Sequence, residues 1–165
     1  MSFEVQRKEM DGLACFQFVG QIDEEAQFLT VADMPTEAII DLGQVSSINS
    51  VGIRAWIMWF GQFADTKFNF INCPKALVMQ MNMVEGFLPA KNEVRSLQVP
   101  FFCEECDEEV DVMFTVGKEI QIVDGQVKLE YDKSSICSDG SEPELDVSEV
   151  KFFRFLLNKA GSEAA

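Results

Sequence analysis

The sequence predicts an α/β fold in two parts: a sheet-and-helix domain over residues 1–98, then a small ribbon-like module over 99–160 made of a β-hairpin and a terminal helix. Two observations carry this. Through the first part, runs with strand-like alternation give way to runs with helical period and back again, which implies a parallel or mixed sheet with crossovers. The charge then shifts: residues 1–98 hold 12 acidic and 7 basic residues, whereas 103–149 hold 15 acidic and 3 basic. The shift lies beside "QVPFFCEEC" and marks a boundary near residue 99. With 47% hydrophobic residues and 15 Phe, the chain can bury a substantial core.

Each element has a local reason. "FEVQRKE" and "LACFQFVG" alternate around Asp11-Gly12, a strong two-residue hairpin signal. "GQID" turns the chain into "EEAQFLTVADM", expected as a first helix with Glu24 and Glu25 in its first turn and Pro35 ending it. "EAIIDL" reads as a short strand. From Ser50, "SVGIRAWIMWFGQF" reads as helix, "KFNFINC" as strand, and "PKALVMQMNMVEGF" as a helix with Pro74 at its start. In the second part "VDVMFTV" reads as strand and "EIQIVDGQVKLEY" as a hairpin around Asp124-Gly125. "SSICSDGSEPELD" reads as a polar loop. "SEVKFFRFLLNKAG" is a helix with Ser148 as N-cap and Gly161 as its stop, and residues 161–165 read as a disordered tail.

Cys103 and Cys106 form a C-x-x-C, and Cys137 follows 30 residues after Cys106. A structural zinc takes four tetrahedral ligands, so a ribbon needs a second knuckle. Here that knuckle offers Cys137 and, where a second cysteine would stand, Asp139; Cys103, Cys106, Cys137 and Asp139 make a candidate zinc set. Two other readings stay open: a ribbon that keeps its hairpin without metal or any other cofactor, and a redox C-x-x-C. The carboxylates of "CEECDEEVDV" are expected to raise both thiol pKa values and oppose redox reactivity. Cys15 and Cys73 read as buried small hydrophobes.

The net charge is −15 and histidine is absent. Nucleic acid and anionic membrane surfaces are therefore poor partners, because both are bound by basic surfaces. No apolar run reaches membrane-span length, and "MSFEVQRKEMDGLACF" lacks the apolar core of a signal peptide. Five cysteines, an odd number, fit a reducing cytoplasm. No phosphate-cradling glycine loop is present, and no histidine or S-x-x-K lysine stands ready to activate Ser50, so a non-enzymatic role is expected.

Within "VSSINSVGIRAW", Asn49 or Ser50 can cap the following helix, and Gly52 allows close backbone approach. A serine at a helix N-terminus also suits phosphorylation, since free N–H groups and the macrodipole accommodate the added charge. The helix is apolar almost all round: Val51, Ala55 and Met58 or Trp59 make one stripe, Ile53, Ile57 and Phe60 another, with Trp56 beside Phe60. Such a helix is either fully buried or shows a face to a partner.

The ordered set "FVGQIDEEAQ", "AIIDLGQVSSINSVGIRAW" and "KFNFINCPKALVMQMNMVEGF" resembles the STAS domain of bacterial anti-sigma factor antagonists, over roughly residues 3 to 98. The resemblance implies a mixed four- to five-stranded sheet with helices packed on one side. It implies a signalling module that binds an anti-sigma factor kinase or similar protein partner and is switched by phosphorylation of Ser50. The implied contact surface comprises Gly20, Gln21, Ile22, Asp23, Asn49, Ser50, Val51, Gly52, Arg54 and Trp56. Asn49 stands where the family has aspartate, and Val51 where it has a second Ser or Thr; asparagine keeps the capping ability without the charge. Other candidates are a sensor of a nucleotide or lipid beside the Ser50 loop, and an adaptor that self-associates, as in a homodimer.

Overall fold

The computed structural model describes residues 2–137 and 141–157 of the chain, which divides into two compact units, Met1–Arg95 and Ser96–Ala165. The first unit is a mixed α/β domain. Its five-stranded sheet has the order β1 (Glu4–Met10), β2 (Leu13–Ile22), β3 (Glu37–Ile48), β4 (Lys67–Ile71), β5 (Asn92–Val94). β1 pairs antiparallel with β2, and the other three pairings are parallel.

The Asp11-Gly12 hairpin forms as the sequence indicates: Met10 pairs with Leu13, and both turn residues have positive φ (53° and 78°). That twist matches the strands it joins. Helix α1 (Ser50–Gly61) lies on the sheet face that carries Phe16, Phe18, Phe68 and Phe70. Trp56, Trp59 and Phe60 pack their rings against these phenylalanines. Trp56 is fully buried, stacks on Phe87 at 4.6 Å and donates its indole N–H to the Phe87 carbonyl at 2.8 Å. Helix α2 (Lys75–Met83) starts directly after Pro74, buries Leu77, Val78 and Met81, and lies against β3. The opposite sheet face carries a polar ladder: Asn69 donates to Glu37, Arg95 donates to Asn69, and Lys67 pairs with Glu93 at 3.1 Å.

Two expectations for this unit are corrected. Residues 24–34 form no helix. The Asp23 carboxylate accepts the Glu25 N–H and the Asp23 carbonyl accepts the Ala26 N–H, closing a turn that competes with a helical start. The irregular crossover that follows is pinned by Phe28, which packs on Phe3, Phe18 and Trp59, and by the Leu29 carbonyl, which takes the Trp59 indole N–H. Strand β3 also runs past "EAIIDL" to Ile48, and two register irregularities, between Gln17 and Val19 and between Gly20 and Gln21, keep β2 beside it.

The second unit is built on a three-stranded antiparallel sheet, order β10 (Glu144–Leu145), β6 (Ser96–Cys103), β7 (Glu108–Thr115), and a separate two-stranded hairpin of β8 (Ile120–Val123) and β9 (Gln126–Leu129). β6 runs through the stretch that the sequence marked only as a boundary, and its Pro100 sits in a central strand. The Pro100 carbonyl accepts the Asp146 N–H. A residue's N–H and C=O point to the same side of a strand, so the N–H that proline lacks faces the side where only the short β10 (Glu144–Leu145) pairs. β10 lies in the stretch expected as loop. β7 (Glu108–Thr115) pairs with β6, and β8 (Ile120–Val123) and β9 (Gln126–Leu129) turn at Asp124-Gly125, again with both φ positive. A 3-10 turn (Lys133–Ser135) precedes Cys137, and a short helix α3 covers Glu149–Phe152. Ser148 occupies its N-cap without a side-chain capping bond; Gly161 and the expected tail lie outside the described residues. Phe101, Phe114 and Tyr131 form a ring cluster at the heart of this unit.

Candidate functional site

The Ser50 loop is set by the parallel pairing of β2 and β3, which brings their ends side by side with Ile22 opposite Ile48. The Asn49 N–H donates to the Ile22 carbonyl at 3.2 Å, bending the chain off β3. Asn49, not Ser50, is the cap: its Oδ1 accepts the Gly52 N–H at 2.9 Å. Its Nδ2 donates to Glu24 Oε2 at 2.9 Å, tying the loop after β2 to the start of α1. The Glu24 backbone N–H and this Asn49 contact hold the Glu24 carboxyl below the usual range. Gly52 is obligatory here, since a Cβ at this position would stand 1.9 Å from the Ile22 carbonyl oxygen.

Ser50 is the first helical residue and is exposed, with exposed Val51 beside it and exposed Arg54 one turn on. Gln21 and Asn49 are also exposed and Asp23 is partly so. Ile22 and Trp56, expected on the contact surface, are instead fully buried. Ile22 lies under the first turn of α1, and Trp56 has both its ring and its N–H used in the core. Gly20 (φ 103°) and Gly52 serve the loop through backbone geometry. Sequence reasoning placed Glu24 at a solvated helix end; its bond to a residue 25 positions away follows from sheet pairing and has no local signal.

Further along α1, Phe28, Leu29, Ala55, Met58, Trp59 and Gln62 border an open groove of about 320 Å³. Its walls are mostly apolar and carry no basic group to hold a nucleotide's phosphates.

In the second unit, the sulfurs of Cys103, Cys106 and Cys137 all lie within 4.8 Å of one another. Cys103 ends β6, and residues 104–107 form the turn into β7, with Asp107 at φ 53°. The tightness of that turn brings Cys106 back beside Cys103, while the 3-10 turn delivers Cys137 from the far side of the sequence. The Cys106 N–H, the Cys137 side chain and the Glu105 N–H all hydrogen-bond the Cys103 sulfur, holding its pKa below the usual thiol value. For Cys103 the expectation of a raised thiol is therefore corrected: the hydrogen bonds aimed at its sulfur lower it against the opposing effect of burial. Three close cysteines of this kind can hold a metal ion. Asp139, the expected fourth ligand, lies outside the described residues.

Cys15 and Cys73 are fully buried in the first unit, and burial pushes both thiols up. Asp41, missed as a structural acid, sits buried at the end of the apolar run of β3; its Oδ1 accepts the Gly43 N–H and the Asn72 amide. No helix among the described residues is long and apolar enough to cross a membrane. No protein-family model, curated protein or solved structure matches this chain.

Proposed function

We propose that the protein is a non-enzymatic regulatory module of the STAS type, binding a kinase- or anti-sigma-like protein through the Ser50 loop, with Ser50 as a phosphorylation switch. The observation that carries this reading is the placement of Ser50. It is exposed at the first position of α1, while the capping work is done by Asn49, so its hydroxyl is spare for modification. The sheet order, with one antiparallel hairpin followed by parallel strands, also fits the resemblance. The contact surface narrows to Gln21, Asp23, Asn49, Ser50, Val51 and Arg54. A phosphate on Ser50 adds about −1.5 to −2 charges at a helix N-terminus, one turn from Arg54, and next to the residue that holds the Glu24 carboxylate. Attraction by Arg54 and repulsion by Glu24 would together rebuild the loop. Capture of a native partner by wild type and Ser50→Asp side by side tests the proposal, with intact mass after incubation with the captured partner and ATP. Loss of capture in Ser50→Asp and a one-phosphate gain on wild type are expected. Equal capture by both proteins, or binding without modification of Ser50, overturns the switch.

A specific observation favours a second element of function: the three-cysteine cluster is a zinc site that staples the second unit. In a tetrahedral zinc thiolate site the sulfurs stand roughly 3.8 Å apart, as Zn–S bonds of about 2.3 Å require, and the cluster is already within 4.8 Å. Cys103, Cys106 and Cys137 would supply three ligands, with Asp139 the sequence's candidate for the fourth. Protein purified without chelator is expected to carry about one equivalent of zinc; less than about half an equivalent refutes the assignment.

A further inference from the structure

We propose that Cys106 is a peroxide-oxidation site, and that its oxidation ejects the metal from the three-cysteine cluster; this rests on the zinc reading above. The three sulfurs differ in access. Cys103 and Cys137 are buried (1% and 7% exposed), whereas Cys106 at the tip of the β6–β7 turn is partly open to solvent. An oxidant from solution therefore meets Cys106 first, and the sulfenic acid it forms has two cysteine sulfurs within 4.8 Å to resolve it.

The chemistry is balanced with hydrogen peroxide as oxidant. The Cys106 thiolate attacks one peroxide oxygen, the O–O bond breaks, and hydroxide leaves, giving Cys106 sulfenic acid. A sulfur of Cys103 or Cys137 then attacks the Cys106 sulfur, forming the S–S bond and releasing water once a proton is supplied. Two thiolates, one peroxide and two protons become one disulfide and two waters. Two of three thiolate ligands are consumed in that step, and the one remaining cannot retain zinc.

The surroundings select the oxidant and the resolving thiol. Glu104, Glu105, Asp107, Glu108 and Glu109 are all exposed around the turn. Residues 103–149 carry 15 acidic against 3 basic residues. Neutral hydrogen peroxide crosses this field unopposed, whereas anionic thiols such as glutathione are repelled. Resolution is thus intramolecular. Cys15 and Cys73, both fully buried, are spectators.

The test uses the full-length zinc-loaded protein, hydrogen peroxide and a zinc-chelating dye, in the presence of glutathione. Zinc release is expected to track the loss of two thiols per zinc, leaving three of the five. Peptide mapping is expected to find one disulfide containing Cys106. Zinc that stays bound after Cys106 is oxidised, a glutathione adduct on Cys106, or a disulfide that omits Cys106 each overturns the proposal. Absence of zinc from the untreated protein instead refutes the underlying zinc assignment, so the two failures are distinct.

Discussion

The two units solve the problem of stability differently. The first carries a continuous aromatic core in which Trp56, Trp59 and Phe60 of α1 mesh with phenylalanines from β2 and β4. Burial of rings on this scale supplies its own driving force. The second has a smaller ring cluster around Tyr131, a separate Phe152–Phe153 pair, and Cys103 and Cys137 among its buried residues. Small domains that cannot bury enough apolar surface depend on cross-links or metals. On the readings proposed above, the first unit holds its Ser50 loop on a core that needs no metal, while the second would depend on the state of its thiols.

The strongest challenge to this contrast is Trp56→Ala. Truncating a fully buried tryptophan is expected to cost about 3–5 kcal/mol, lowering the urea midpoint of the first unit while leaving metal content unchanged. A variant that loses zinc in step with stability would show that the units are not independent in this way. Gly52→Ala follows, with a cost of about 1–3 kcal/mol expected from forcing α1 away from the Ile22 carbonyl. Removing metal from the wild type by chelation should loosen only residues 96–137 and 141–157. Hydrogen exchange read peptide by peptide is the measure, and uniform protection loss across β2 and β3 would contradict it.

The smallest effect sharpens the comparison at the Ser50 loop. Asn49→Ala removes the α1 cap, at a cost of about 1 kcal/mol, and with it the exposed Glu24 contact. The Glu24 part depends on pH. A carboxyl whose folded pKa is lowered contributes its stability above the ordinary glutamate value and loses it as pH falls through the folded value. The Asn49 side-chain amide signals should therefore hold constant from neutral pH down to the ordinary range and shift only below it. A shift at higher pH would contradict the contact.

How far the sequence revealed this arrangement depended on how local each determinant is. Both Asp-Gly hairpins and the Pro74 helix start were legible, because one or two residues fix their backbone angles. The crossover after β2 was not: the charged and apolar pattern of residues 24–34 suits a helix, but Asp23 closes a turn and Phe28 is drawn into the core. At the candidate sites, the cysteine spacing was legible, and the cap was legible as Asn49 or Ser50. The burial of Ile22 and Trp56, and the reach of Asn49 to Glu24, were set by sheet register, which no short window of sequence contains.

The partition of aromatic side chains has a practical consequence. Both tryptophans, Trp56 and Trp59, lie in the first unit, and the single tyrosine, Tyr131, lies in the second. Indole emission excited at the red edge, where phenol does not absorb, therefore arises from the aromatic core of the first unit. The protein thus carries a built-in optical label for its first unit, whose unfolding can be followed without any attached dye.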